Sequence, residues 1–220
     1  TKASQKTNKQ LSSLNTIGKF LVFDRLASYA ARATGALVRF GKTTFDVLNR
    51  TVQVATNVAE ETSKSFQVFG DSAQSIIDFA KGASSLGLAE DQALQAAAGF
   101  GSLFKVIGSS EEEAAGFSKN LTKLAADMAS FNNTTVDEAL IALSAGLRGE
   151  SEPLKRFAVF LNEATLKQEA LNAGIIKSTK GTLTPAAKAL AAYNVILKQT
   201  TQQQGDFART AGGLANLSRI

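Results

Sequence analysis

Apolar residues recur at alternating steps of three and four along residues 45–69, and this spacing constrains the fold more than any other feature. The series is Phe45, Leu48, Val52, Ala55, Ala59, Thr62, Phe66 and Phe69. It covers more than three heptads, the repeat that winds helices around one another into left-handed supercoils. Because a helix with one narrow apolar stripe cannot bury that stripe alone, the spacing predicts a long helix that packs in a bundle.

From residue 71 onward the pattern changes to shorter helices with recognisable ends. Four pairs have the spacing of a capping box, in which the two side chains satisfy each other's backbone amides: Asp71 with Gln74, Ser109 with Glu112, Ser110 with Glu113, and Thr135 with Glu138. Thr184-Pro185 is a further helix start. Two apolar faces follow from helical spacing: Phe117, Leu121, Leu124, Met128 and Phe131, and then Phe157, Phe160 and Leu161.

These patterns predict an all-α fold. One or more long N-terminal helices form a bundle-like rod, and a module of shorter packed helices follows. Strand-like alternation is nearly absent, and the 220 residues contain only two prolines to interrupt helices. We expect three parts: residues 1–70 as the rod, residues 71–205 as a compact module, and residues 206–220 as the start of a further element. Since the first residue is Thr1, we also expect a processed form or a piece of something longer.

Composition removes most catalytic chemistry. The chain has no His and no Cys, so the commonest general base, the commonest transition-metal ligand and the thiol nucleophile are all missing. Residues 35–43 suggest a phosphate loop, but five residues separate Gly35 from Gly41 where that motif has four. Glu150 and Glu152 flank a helix start, where acidic residues favourably meet the helix dipole. The sequence therefore predicts a protein that is not an enzyme, with no catalytic residue, cofactor or metal ligand.

The one predicted functional surface is the apolar stripe itself, as a self-association site. Its members are Phe45, Leu48, Val52, Ala55, Ala59, Phe66 and Phe69. We call this set, with Thr62 between Ala59 and Phe66, the seam. We expect it to join copies of the chain as a parallel bundle of three.

Charge and hydropathy leave two other classes of function open. Residues 1–50 hold nine basic and two acidic side chains, a balance that would suit a helical protein that binds nucleic acid through this segment. A membrane-active, pore-forming helical protein is the other alternative. It would need a long apolar hairpin, but the longest uncharged run is the thirteen residues Gln92–Phe104, short of the roughly 20 that a bilayer requires.

Several segments resemble the tape measure proteins, or minor tail proteins, of long-tailed bacteriophages. They are Ala125–Asn132, Ala139–Phe157, Leu161–Thr165, Leu183–Tyr193 and Gln204–Thr210. The resemblance covers about residues 71–220. Gly146–Phe157 is its most specific part, because that order of Gly, acidic, Pro and basic residues is not a generic helix pattern. Residues 1–70 match only in being helical.

The resemblance implies a non-enzymatic structural protein of the virion. Such proteins are made in the host cytoplasm, lie in the lumen of the phage tail, set tail length during assembly and leave ahead of the DNA at infection. The partners it implies are other copies of the chain, the tail tube proteins, the tail tip or baseplate hub proteins and the tail assembly chaperones. Phage DNA and the host envelope would be transient partners.

Overall fold

The computed structural model describes the backbone of residues 41–211 and the side chains of residues 52–211. The α-helices in this range are α1 (Gly41–Phe69), α2 (Ala73–Lys81), α3 (Glu90–Val106), α4 (Glu111–Phe131), α5 (Val136–Arg148), α6 (Glu152–Lys155), α7 (Glu163–Asn172), α8 (Pro185–Gln199) and α9 (Asp206–Thr210). Two 3₁₀ turns, Gly70–Ser72 and Ala83–Leu86, flank α2. No strand occurs between residues 41 and 211. The predicted all-α fold is confirmed.

Side-chain caps begin most of the longer helices of the module. Ser110 Oγ accepts the Glu113 N–H at 3.2 Å, and the Glu113 carboxylate accepts the Ser110 N–H at 2.9 Å. Thr135 and Glu138 form the same reciprocal pair at the start of α5. Thr184 Oγ caps α8 by accepting the Ala187 N–H at 3.2 Å. These hydrogen bonds confirm the predicted helix starts. Each cap satisfies a backbone N–H group in the first turn that has no partner within the helix.

The capping box predicted at Asp71 and Gln74 is wrong. The Gln74 amide donates to Asp78 at 2.9 Å, one turn further along α2. The Asp71 N–H donates instead to the carboxylate of Glu111 at the start of α4, at 3.2 Å. A tertiary acceptor replaces the local one because the chain enters α2 through the 3₁₀ turn Gly70–Ser72 rather than from an extended residue.

The chain divides into two compact units between Lys64 and Ser65, whereas the sequence places the division after residue 70. The difference arises because Ser65 and Phe69 are fully buried. At the other end, α9 packs on α4 within the second unit. Residues 206–210 therefore belong to the compact module, which corrects their assignment to a further element.

The core of the second unit is built around α4. This helix packs against α3, α5 and α9, and α8 packs against α5 and α7. Five alanines of α4 are buried at these contacts, namely Ala114, Ala115, Ala125, Ala126 and Ala129. Such small side chains let neighbouring helices approach closely, so larger side chains from the neighbours fill the remaining space.

An aromatic cluster joins three of these helices. Phe117 of α4 lies 4.7 Å from both Phe104 of α3 and Tyr193 of α8, measured between ring centroids. Asn120 donates to the Tyr193 hydroxyl at 2.9 Å. Burial raises the pKa of the Tyr193 phenol, and the hydrogen bond from Asn120 opposes that shift. The cluster fixes α8 against the α3–α4 pair.

Candidate functional site

The seam lies along α1, and its described members differ in exposure. Val52 is 48% exposed, and Ala55, Ala59, Thr62 and Phe66 are partly exposed. The side chains of Phe45 and Leu48 lie outside the described residues, as do all side chains of the basic segment 1–50. A stripe with this exposure leaves apolar surface for a partner from Val52 to Phe66, over about four turns of helix.

Phe69, the last predicted member of the seam, is 0% exposed. A Cβ added at Gly101 of α3 would lie 2.2 Å from the Phe69 ring, which shows how closely the ring packs on that glycine. Phe69 is therefore part of the core of the second unit and is not available to another copy. The prediction fails there because heptad spacing cannot distinguish a partner helix from a helix of the same chain.

The Gly146–Phe157 segment forms a compact elbow between α5 and α6. A Cβ at Gly146 would lie 2.2 Å from Cδ1 of Leu154, and Leu154 and Phe157 are both fully buried. Gly149 ends α5 with a φ of 100°, a left-handed conformation that favours glycine. Pro153 lies in the first turn of α6, where its missing N–H leaves no intrahelical bond unmade. The order of Gly, acidic, Pro and basic residues in this segment thus specifies the tight turn between α5 and α6.

The acidic residues of this elbow form exposed ion pairs. Glu150 lies 3.6 Å from Arg148, and Glu152 lies 2.6 Å from Lys155. All four side chains are about half exposed or more, so each pair contributes little to stability. The geometry agrees with a solvated helix junction rather than with two carboxylates that face a common substrate.

Two aromatic residues that the sequence places in the core are instead exposed. Phe131 at the end of α4 is 50% exposed, and Phe160 between α6 and α7 is 55% exposed. The Gln199 side chain holds Phe160 in place: it accepts the Phe160 N–H at 2.7 Å and donates to the Phe160 carbonyl oxygen at 3.2 Å. Ala158 adopts a φ of 58°, and this local reversal carries Phe160 off the face that Phe157 occupies.

A buried polar network connects α4 with the turn before α9. The Asp127 carboxylate is 2% exposed and accepts two backbone amides, Gly205 N–H at 2.8 Å and Phe207 N–H at 3.2 Å. Next to it, the buried Gln203 accepts from Asn132 at 2.9 Å and donates to the Phe157 carbonyl oxygen at 2.8 Å. Sequence reasoning missed Asp127; the available signal was a single acidic residue inside a run of small and apolar residues.

A cavity of about 250 Å³ lies near the starts of α7 and α8. Leu161, Leu166 and Leu183 form its apolar part, and Glu163 and Lys188 are at its polar side. A hydrogen bond from Lys167 lowers the pKa of Glu163. The Glu163 carboxylate already forms an ion pair with Lys167 at 2.7 Å.

Neither a metal cluster nor a membrane span is found in the described part of the chain. Among residues 52–211 no group of three or more acidic side chains is placed to hold a metal ion. No helix within the described ranges combines the length and hydropathy needed to cross a bilayer. Comparisons with protein-family models, with curated proteins and with solved structures find no match to this chain.

Proposed function

We propose that the chain is part of a phage tail tape measure protein that lies in the tail tube, sets tail length during assembly and leaves ahead of the DNA. The observation that carries the proposal is α1, an uninterrupted helix of 29 residues whose heptad seam is partly exposed from Val52 to Phe66, followed by a compact helical module. The segments that resemble tape measure proteins lie in that module.

A continuous helix suits the task of a ruler. Each residue adds about 1.5 Å, so the 29 residues of α1 extend about 43 Å, and length is encoded directly in residue number. A single helix of this kind is stable only when its apolar stripe is covered. Three parallel copies within one tube would cover it.

The module supplies an attachment point in this proposal. Its elbow at Gly146 and Leu154 and its capped helix starts specify a folded shape that does not scale with residue number. We therefore assign to it the contacts with tail tip or baseplate hub proteins and with assembly chaperones. The seam of α1 joins copies of the chain, and this bundle lies within the tail tube proteins. Contacts with phage DNA and with the host envelope are transient and occur during ejection.

The decisive experiment is an insertion in the phage that carries this protein. Four further copies of residues 53–59, or 28 residues, preserve the heptad phase of α1 and should lengthen the tail by about 42 Å at 1.5 Å per residue. The matched control places the same 28 residues in the exposed loop between α7 and α8, at Gly181. Electron microscopy of the virions measures both.

The control insertion should leave tail length unchanged, because loops at exposed sites accept added residues without moving the elements that they join. Equal lengthening by both insertions would show that the position along α1 is irrelevant. Tails of normal length from the α1 insertion would refute the ruler role directly.

A further inference from the structure

The last described helix, α9, is short and is held to the module by one large buried ring. With five residues, α9 is too short to be stable as an isolated helix, so contacts with the rest of the unit must hold it. Phe207 is its one large apolar anchor, and this ring is 2% exposed and packs on Gly87. A Cβ at Gly87 would lie 2.6 Å from the ring. We name residues 203–210 the strap.

The strap also makes several polar contacts. Asp127 accepts the backbone amides of Gly205 and Phe207, as described above. Ser130 Oγ donates to the Asp206 carboxylate at 2.7 Å. Arg209 donates to the carbonyl oxygens of Gln202 and Gln204 at 3.1 and 2.8 Å, which closes the turn on itself. Asp127 and Asp206 are thus two carboxylates with little access to water.

This balance makes the strap easier to open than the helices below it. Opening returns both carboxylates to water, which recovers hydration that folding removed, and exposes one large apolar side chain. Separating α3 from α4 would expose many more, including Leu94, Phe104, Leu121, Leu124 and Met128. Regions with few buried apolar contacts open at lower free energy than the core around them.

We propose that the strap opens and closes as one unit while α3, α4, α5 and α8 stay folded, and that Asp127 is the catch that keeps it closed. The open state uncovers the apolar site beside Gly87 together with the Asp127 carboxylate. The module therefore presents one surface when the strap is closed and a different one when it is open, while its core stays folded. The inference does not depend on the tail function proposed above.

Hydrogen exchange of the whole chain, followed by mass spectrometry at neutral pH, tests the proposal. Peptides that contain residues 205–210 should exchange at least tenfold faster than peptides from α3 and α4. Their exchange should respond weakly to low concentrations of urea, because strap opening exposes little surface. Strap amides that exchange in step with α4 at every urea concentration would overturn the proposal.

The variant Asp127→Asn tests the catch. An amide has one acceptor oxygen in place of two, so one of the two backbone N–H groups loses its partner. Exchange in residues 205–210 should rise about tenfold, with α3 and α4 unchanged. Asp137→Asn, at an exposed residue in the first turn of α5, is the matched control and should change neither region. If Asp127→Asn accelerates α3 and α4 as much as the strap, Asp127 supports the whole core and the proposal is wrong.

Discussion

Two glycines within helices differ in the space around them. The contrast shows how much a single residue can affect packing. Gly146 of α5 allows Leu154 of α6 to approach so closely that a Cβ would lie 2.2 Å from Cδ1 and 3.1 Å from Cγ. Beyond the neighbouring backbone of its own helix, nothing lies within 4 Å of the position that a Cβ at Gly116 of α4 would take. The same substitution should therefore have opposite effects at the two positions.

We expect Gly116→Ala to stabilise the module by up to about 1 kcal/mol, because alanine is the better helix former. Gly146→Ala gains the same helix propensity but forces the buried Leu154 to move, and overpacking of this kind costs about 1–3 kcal/mol. Urea unfolding followed by circular dichroism measures both. Equal stabilisation by the two variants would mean that the α5–α6 elbow adapts without cost.

Residues whose partners are close in sequence could be predicted, and residues with distant partners could not. Ser110 and Thr135 each accept a backbone N–H three residues further along the chain, so their role as helix caps follows from spacing alone. Asp127 binds amides 78 and 80 residues further along the chain, and no local pattern announces that contact. Phe160 fits an apolar spacing, yet its exposure depends on the left-handed Ala158 and on the distant Gln199.

At the scale of elements, the start of α5 combines a local cap with a tertiary ion pair. Glu138 completes the capping box with Thr135, accepts from Thr134 and lies 3.2 Å from Arg156. The Arg156 hydrogen bond, together with the Thr135 N–H, lowers the pKa of Glu138 from its ordinary value of 4.5. Arg156 also lies 5.3 Å from the ring centre of Phe157, which links the cap to the elbow.

This arrangement predicts a specific dependence of stability on pH. Because the pKa of Glu138 is lower in the folded state than in the unfolded chain, its contribution is complete above the ordinary value of 4.5. It is lost as the pH falls through the folded-state pKa. Glu138→Gln should therefore reduce the loss of stability on acidification, as measured by thermal melts between pH 6 and pH 3. Asp137→Asn, in the same turn but outside the capping box, is the control, and an equal effect of both variants would contradict the assignment.

The boundary between the two units shows why elements are predicted more reliably than their packing. The heptad spacing continues without a break to Phe69, so the sequence extends the rod to the end of α1. The structure buries Ser65 and Phe69 in the second unit instead. The spacing of the apolar residues predicts the helix and its apolar face. What packs against that face depends on residues elsewhere in the chain, such as Gly101.

At the scale of the whole molecule, the proposed self-association of the chain depends on the part of the seam that stays exposed. Val52 is 48% exposed on the seam, and Val54 is 44% exposed two residues further along, on a different side of α1. The two valines have the same chemistry and nearly the same exposure. They therefore form a matched pair that separates the role of the seam from the general effect of an added charge.

We predict that Val52→Asp dissociates the assembly and that Val54→Asp does not. A bundle of copies would bury the carboxylate at position 52 without a partner, which is strongly unfavourable, whereas a carboxylate at position 54 would stay in water. Light scattering after size-exclusion chromatography should show the mass of three chains for the wild type and for Val54→Asp, and a lower mass for Val52→Asp. Circular dichroism should remain helical in all three, since the helices of the second unit do not depend on either valine. A wild-type chain that is monomeric at high concentration, or an equal loss of mass in both variants, would show that the seam does not join copies of this protein.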